Sequence, residues 1–416
     1  MKKSLFALAA LGAFAGAAQA QSSVTLFGTI DASLQYLQNG GVAGSSSAKG
    51  SSIGTGNSIT DATQPGPNTG NALVYYDSAI ASSQWGLKGT EELGGGMKAN
   101  FYLAGDANTN NGGTHIEGLF RRGAWVGLSG GFGELRLGTQ ANPIVTASGA
   151  ILPLGGNTVH NFRGIYSHGK DYNRNAIGYM TPKMSGFMAE LQYAANNTID
   201  GGYSDGTVMN VRGNYSAGNL EVNAAYLKAT SMAATGNVTQ NSCTTVTAGT
   251  TSVTCPAANY SGDTTGYIAG VKYKVTPAIQ LALGWAHGEN DTTNFEAGKT
   301  TPGTAVKNNA NILITGIGYQ ATPTVMVGFN YLVNTADSSI YNFQTRYALS
   351  KRTTAYVQVH MAKNGAGTNN GAVTPFGTSQ LLGGQTNTSP SVQVQGMAAL
   401  PNTTQTAFGL GLIHNF

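Results

Sequence analysis

From Val24 to Gln38 apolar and polar positions alternate. Val24, Leu26, Ile30, Leu34 and Tyr36 share one parity; Thr25, Thr29, Asp31, Ser33 and Gln35 share the other. A period of two predicts a strand with one apolar face. The last residues repeat the pattern, with Phe408, Leu410, Leu412 and Phe416 opposite in parity to Gln405, Ala407, Gly409, Gly411 and Asn415. A terminal strand with an apolar face and a free edge invites aggregation. A closed membrane barrel removes that edge by pairing the last strand with the first.

Between these ends the chain reads as hairpins. Ser82 to Thr90 alternates, with Trp85 and Leu87 on one side and Gln84 and Lys88 on the other; Gly94-Gly-Gly96 turns it, and Met97 to Ala107 returns. Further short turns are Ser129-Gly-Gly-Phe-Gly133, Thr181-Pro-Lys-Met-Ser-Gly186, Ser216-Ala-Gly-Asn219, Thr276-Pro-Ala278, Ala321-Thr-Pro-Thr324 and Ser350-Lys-Arg-Thr353. Long polar stretches fall at about 39–71, 106–118, 140–171, 195–207, 229–264, 288–309, 335–340 and 362–403. The sequence thus predicts sixteen antiparallel strands, starting near Val24, Ser82, Met97, Leu119, Glu134, Tyr172, Phe187, Thr207, Leu220, Gly266, Ile279, Ala310, Val325, Tyr341, Thr354 and Thr404. Short turns at one end and long loops at the other fit an all-β transmembrane barrel, and sixteen strands leave room for a water-filled lumen. A secreted β-solenoid would need a fixed repeat period, which the uneven spacing lacks.

Composition supports this class. Charged residues make up 10% of the chain, Gly is abundant at 59 residues, and 19 Tyr against 3 Trp suit interfacial girdles. Beyond the N-terminus no run of ~18 apolar residues forms a membrane helix, as expected where only alternate residues meet lipid. Lys2-Lys3, the apolar stretch Leu5 to Ala17 and Ala18-Gln-Ala20 read as a signal peptide over residues 1–20, cleaved after Ala20, leaving a barrel over 21–416. The alternative, an N-terminal anchor, fits the length less well. Cleavage removes Lys2 and Lys3 and takes the formal net charge from +4 to +2, a near-balance that argues against a nucleic-acid partner. Cys243 and Cys255 bracket a Thr/Ser/Gly-rich stretch. In an exported chain they read as a disulfide closing one loop, worth about 3 kcal/mol in the chain-entropy model, with two free thiols as the alternative.

Several pieces together resemble the general, trimeric porins of Gram-negative outer membranes. They are Ser23-Val-Thr-Leu-Phe-Gly-Thr-Ile-Asp31, Gln84-Trp-Gly-Leu-Lys-Gly-Thr-Glu-Glu-Leu-Gly-Gly-Gly-Met-Lys98, Ala124-Trp-Val-Gly-Leu-Ser-Gly-Gly-Phe-Gly-Glu-Leu-Arg-Leu-Gly138, Arg174-Asn-Ala-Ile-Gly-Tyr-Met-Thr-Pro182, Tyr347-Ala-Leu-Ser-Lys-Arg-Thr353 and His414-Asn-Phe416. The resemblance implies a homotrimer of sixteen-strand barrels in the cell outer membrane, in contact with lipopolysaccharide, with loop 3 (about 140–171) folded into each lumen. It also implies that Phe416 is the assembly signal read by the barrel-assembly machinery. Phe416 is equally placed to serve in an aromatic girdle.

A channel of this kind sieves by diameter and by the charges along its wall. Lys88, Arg122, Arg136 and Arg174 are the basic residues read on the lumen parity. In the family a ladder of Arg and Lys faces acidic groups on loop 3. Here Gln84, Thr139 and Tyr172 stand where Arg is common in the family, and Gly149-Ala-Ile-Leu-Pro-Leu-Gly-Gly156 resembles its constriction turn without acids. Between Gln140 and Asp171 the sole carboxylate is Asp171, against Arg163 and Lys170; His160 and His168 read as ordinary loop or packing histidines, with pH-sensitive groups as the alternative. The expectation is passive diffusion of ions and small hydrophilic solutes with mild anion selectivity. A nearly neutral pore is the alternative, together with a substrate-specific channel or a surface adhesin using the long loops. Two G-x-S-x-G matches, at Gly50 and Gly202, lie in polar loops without the strand-turn-helix setting of a nucleophile elbow. No catalytic set, metal site or cofactor site is read.

Overall fold

The computed structural model describes residues 23–41, 69–113, 118–154, 171–195, 207–231, 262–293, 305–335, 338–363 and 404–416. They form β1 (Ser23–Gly41), β2 (Thr69–Asp77), β3 (Gln84–Gly94), β4 (Met97–Asp106), β5 (Gly123–Gly130), β6 (Gly133–Ala141), the helix α1 (Pro143–Ile151), β7 (Tyr172–Met180), β8 (Phe187–Ala194), β9 (Thr207–Ala217), β10 (Leu220–Ser231), β11 (Gly262–Lys274), β12 (Ile279–Thr293), β13 (Ala305–Gln320), β14 (Val325–Asn334), β15 (Ser339–Ala348), β16 (Thr353–Lys363) and β17 (Thr404–Asn415).

Every pairing is antiparallel, and the sheet closes where β1 meets β17, from Thr29 opposite Asn415 to Gln38 opposite Thr406. The other edge of β1 is shared. Ser23 to Thr29 pairs with β3, and Ala32 to Gly41 pairs with β2. β2 and β3 are therefore two halves of one stave, interrupted at residues 78–83, and the barrel has sixteen staves. The sequence pattern puts a loop over Asn39–Asn71 and no strand between it and Ser82, whereas the structure has β2 there. Its inner residue Tyr76 is apolar and buried, which erases the alternation in Ala72-Leu-Val-Tyr-Tyr76. The carboxylate of Asp31, fully buried, organises the interruption. It accepts the N–H groups of Ile80 and Ala81, both at 2.7 Å, and the hydroxyl of Tyr356 at 2.6 Å.

The two faces differ as the alternation requires. Leu26 is 57% exposed and Leu410 62%, on the parity of Leu34, Leu283, Leu313 and Phe408. The opposite parity carries Ser33, Gln35, Gln192, Asn210, Gln344 and Gln358, all buried. Some strands run longer than the pattern suggested. β12 and β13 stay paired out to Thr293 opposite Ala305, inside the span read as a 288–309 loop. There Gly288-Glu-Asn-Asp-Thr-Thr293 continues the backbone ladder without an apolar face to mark it. Conversely, Leu119 to Arg122 are turn residues, and β5 starts at Gly123.

Candidate functional site

The loop after β6 contains a helix where the sequence suggested only polar loop. Asn142 caps α1, its side chain accepting the Ile144 N–H at 3.2 Å, and Pro143 occupies the first turn, where its missing N–H costs nothing. The neck of the loop is tied by Asn142 N–H to the Asp171 carbonyl at 2.7 Å. From β6 the helix reaches past β7 and β8 to β9–β12. Ile144, Ala147 and Ile151 pack there with Ala225, Leu227, Ile268 and Ala286, which alternate with exposed Tyr226, Tyr267 and Trp285. The segment thus crosses the inside of the barrel.

Glycine makes the close approach possible. A Cβ on Gly270 would meet Ile151 at 2.6 Å, and a Cβ on Gly316 would meet Pro153 at 2.7 Å. Two cations then fasten the segment by its carbonyls. Lys272 Nζ donates to the Ala150 carbonyl at 2.9 Å while pairing with Glu221 at 3.0 Å. Arg346 Nη2 donates to the Leu154 carbonyl at 2.6 Å and is steadied by Gln344. A cation at the end of a helix also meets the negative end of its dipole.

The remaining inner charges are mostly paired. Asp106 binds both Arg121 and Arg122, the latter at 2.7 Å, and Arg122 donates on to the Tyr172 hydroxyl at 2.9 Å. Arg136 pairs with Glu134 at 2.5 Å, and Arg212 with Glu190 at 2.8 Å. Lys88 stands exposed, opposite Thr25 and Tyr102, with no ion pair among the described residues.

The residues picked from sequence fall in different places. Lys88, Gln84 and Arg136 lie on the inner parity; Gln84 faces Thr29 and Asp106. Arg122 precedes β5, so strand parity does not govern it, and it is a buried, paired cation rather than a bare rung. Tyr172 is its partner. Thr139 sits opposite Ala124 on the parity of Leu135 and Leu137, which is outward; Gln140, buried, points inward and donates to the Ala176 carbonyl at 3.2 Å. That follows from plain alternation along β6, where Arg136, Gly138 and Gln140 share the inner parity. The neighbouring strand β7 carries a bulge, with Arg174 and Asn175, the latter at φ 51°, opposite the single residue Thr139 and between the inward Asn173 and Ala176, so Arg174 cannot be assigned by counting from Ile177. His160, Arg163, His168, Cys243, Cys255 and residues 1–20 lie outside the described residues. Arg212, Lys272, Arg346, Glu190 and Glu221 were not singled out, although their strands alternate regularly and inner parity alone would have flagged them.

A protein-family profile described as Gram-negative porin matches residues 7–367. Outer membrane porin protein 32 of Delftia acidovorans is 38% identical over 203 residues, covering 47% of the chain and 50% of the relative. The chain spans about half the length of the curated relatives it matches. Among solved structures, an anion-selective porin from Comamonas acidovorans superposes with a TM-score of 0.64 at 21% identity, covering 95% of the chain and 100% of that structure. The trimer form of OmpT, an outer membrane protein of Vibrio cholerae, gives 0.58 at 12% identity, covering 95% and 99%. At these identities the likeness is one of fold.

Proposed function

Because the chain belongs to the Gram-negative porin family, we propose that it forms a water-filled outer-membrane channel for passive diffusion of ions and small hydrophilic solutes, mildly favouring anions. The observation that carries the reading is the segment 143–154, which leaves the wall at β6 and is held across the lumen by Lys272 and Arg346. A closed barrel with an apolar outside and a polar inside needs no such strut for membrane insertion alone. A strut of this kind sets the bore.

The anion preference is supported by the charges along the inner wall. Asp106 is shared by two arginines, Lys88 has no ion pair among the described residues, and the chain between Gln140 and Asp171 contributes no carboxylate short of Asp171. Assembly as a homotrimer is part of the proposal, in keeping with the trimer form of a structural neighbour. So are contact with lipopolysaccharide, capture by the assembly machinery through the β17 edge, removal of residues 1–20 and a Cys243–Cys255 disulfide. The channel involves no bond-making chemistry. Purified protein in a planar bilayer should give ohmic current steps that come in threes. A folded barrel that adds no conductance would overturn the reading.

A further inference from the structure

The inner wall carries a run of aromatic rings that simple sieving does not use. Phe27 on β1, Tyr102 on β4 and Trp125 on β5 stack in series. Their ring centres are 5.2 and 5.7 Å apart, and their planes 26° and 13° from parallel. All three are half-buried and lie on the inner parity. Space for them comes from small neighbours: a Cβ on Gly86 would meet the Phe27 ring at 2.7 Å, and one on Gly123 the Tyr102 ring at 2.6 Å. A cation closes each end. Lys88 Nζ is 5.5 Å from the centre of Phe27, and the Arg136 guanidinium is 4.4 Å from that of Trp125.

The two ends are not equivalent. Arg136 is neutralised by Glu134, whereas Lys88 is exposed and has no ion pair among the described residues. The wall therefore presents an aromatic band with an available positive charge at one end. The faces of Phe27 and Tyr102 are taken up by each other, by Trp125 and by Lys88, so their half-buried edges are what meets the lumen, and such edges favour an apolar group laid against them. An aliphatic anion would satisfy Lys88 and leave the rings wet, and a neutral sugar would do the reverse. A planar ring bearing one carboxylate satisfies both. We propose that Phe27, Tyr102 and Lys88 form a lumenal subsite for small aromatic carboxylates, the face of the solute ring against the exposed edges of Phe27 and Tyr102 and the carboxylate at the Lys88 ammonium. This rests on the channel reading above, and it adds a solute preference that a passive sieve lacks.

Benzoate and cyclohexanecarboxylate carry the same charge and similar bulk, so they separate aromatic contact from charge attraction. With single channels in a planar bilayer, benzoate should interrupt chloride current at roughly three- to tenfold lower concentration, the range aromatic pairing supplies beyond burial. Phe27→Leu and Tyr102→Leu should each shrink that ratio toward one, and Lys88→Gln should weaken both acids. Equal block by the two acids, or a preference that survives both leucine variants, would overturn the subsite. Trp125 is the one tryptophan of three on the inner parity; Trp85 and Trp285 point outward. Its fluorescence gives a reading that needs no current, with benzoate expected to perturb it at lower concentration than cyclohexanecarboxylate. A wild-type protein that binds benzoate by fluorescence but carries no current would sink the channel and leave the subsite standing. A variant that fails to fold loses its heat-modifiable band, and the other leucine variant then carries the test.

Discussion

Phe416 and Gly28 exchange a pair of backbone hydrogen bonds, each 3.0 Å, and the Phe416 ring fills the space a Cβ on Gly28 would need. That contact extends the seam between β1 and β17 by one more rung beyond Thr29 opposite Asn415. A side chain at position 28 must displace both the ring and the Gln84 carbonyl, the latter 2.8 Å from the missing Cβ. Gly28→Val should therefore cost about 1–3 kcal/mol, the range for overpacking. The readout is a lower temperature for loss of the compact band in a heat-modifiability gel. An unchanged transition would mean that the seam relaxes freely there.

Asp31 is the hinge of the broken second stave. Three hydrogen bonds converge on its carboxylate, two from backbone N–H groups that have no other role at the interruption. Asp31→Asn keeps the shape but loses the charge and turns one acceptor into a donor facing the Tyr356 hydroxyl. Hydrogen bonds to charged groups contribute about 1.5–3 kcal/mol, so the variant should unfold at visibly lower denaturant. Tyr356→Phe removes one of the three and should cost less. Equal stability of both variants with wild type would refute this role.

Strand parity was legible along most of the chain because lipid selects alternate residues so strongly. It failed where something other than lipid or water meets the wall. At Tyr76 the inner face touches the apolar interior, so β2 has no alternation. Opposite Thr139 a bulge inserts a residue into β7, so counting along that strand gives Arg174 a parity that does not hold; Thr139 itself is outward by plain alternation from Arg136, and only its position in the family resemblance suggested the lumen. In α1 no charged residue marks a face, and the cap Asn142-Pro143 is its single clear sequence signal. The paired state of Arg122 needed the fold, since Asp106 and Tyr172 approach it only through the barrel. Ion pairs between neighbouring strands, such as Arg212 with Glu190, need a register that sequence alone does not supply.

Lys272 and Arg346 should act as latches. Each holds a carbonyl of the crossing segment, and each can be replaced by a residue of similar bulk without charge. Lys272→Met releases Ala150 and leaves Glu221 without its cation; Arg346→Met releases Leu154. We expect noisier current and a higher mean conductance in both, with the double variant exceeding either. Single-channel recording at fixed salt measures this. Quiet channels of wild-type conductance in the double variant would show that apolar packing of Ile151 alone fixes the segment.

Ion selectivity should follow net inner charge rather than the number of arginines. Arg212 with Glu190 is a neutral pair, so replacing both by Gln should leave the reversal potential in a salt gradient nearly unchanged. Lys88 is exposed and has no ion pair among the described residues, so Lys88→Gln should reduce the anion preference and Lys88→Glu should reduce it further or reverse it. Asp31 and Asp77 carry the opposite sign. Both are buried, and their carboxylates accept hydrogen bonds from residues of the 78–83 interruption. Their field at the lumen is weakened accordingly. Screening sharpens the test. The Debye length is about 10 Å at 0.1 M salt and about 3 Å at 1 M. A preference set by Lys88 should be clear in dilute chloride and fade in concentrated chloride. If the neutral-pair variant shifts the potential as much as Lys88→Glu, the preference arises from local barriers at individual rungs, and the net-charge account fails.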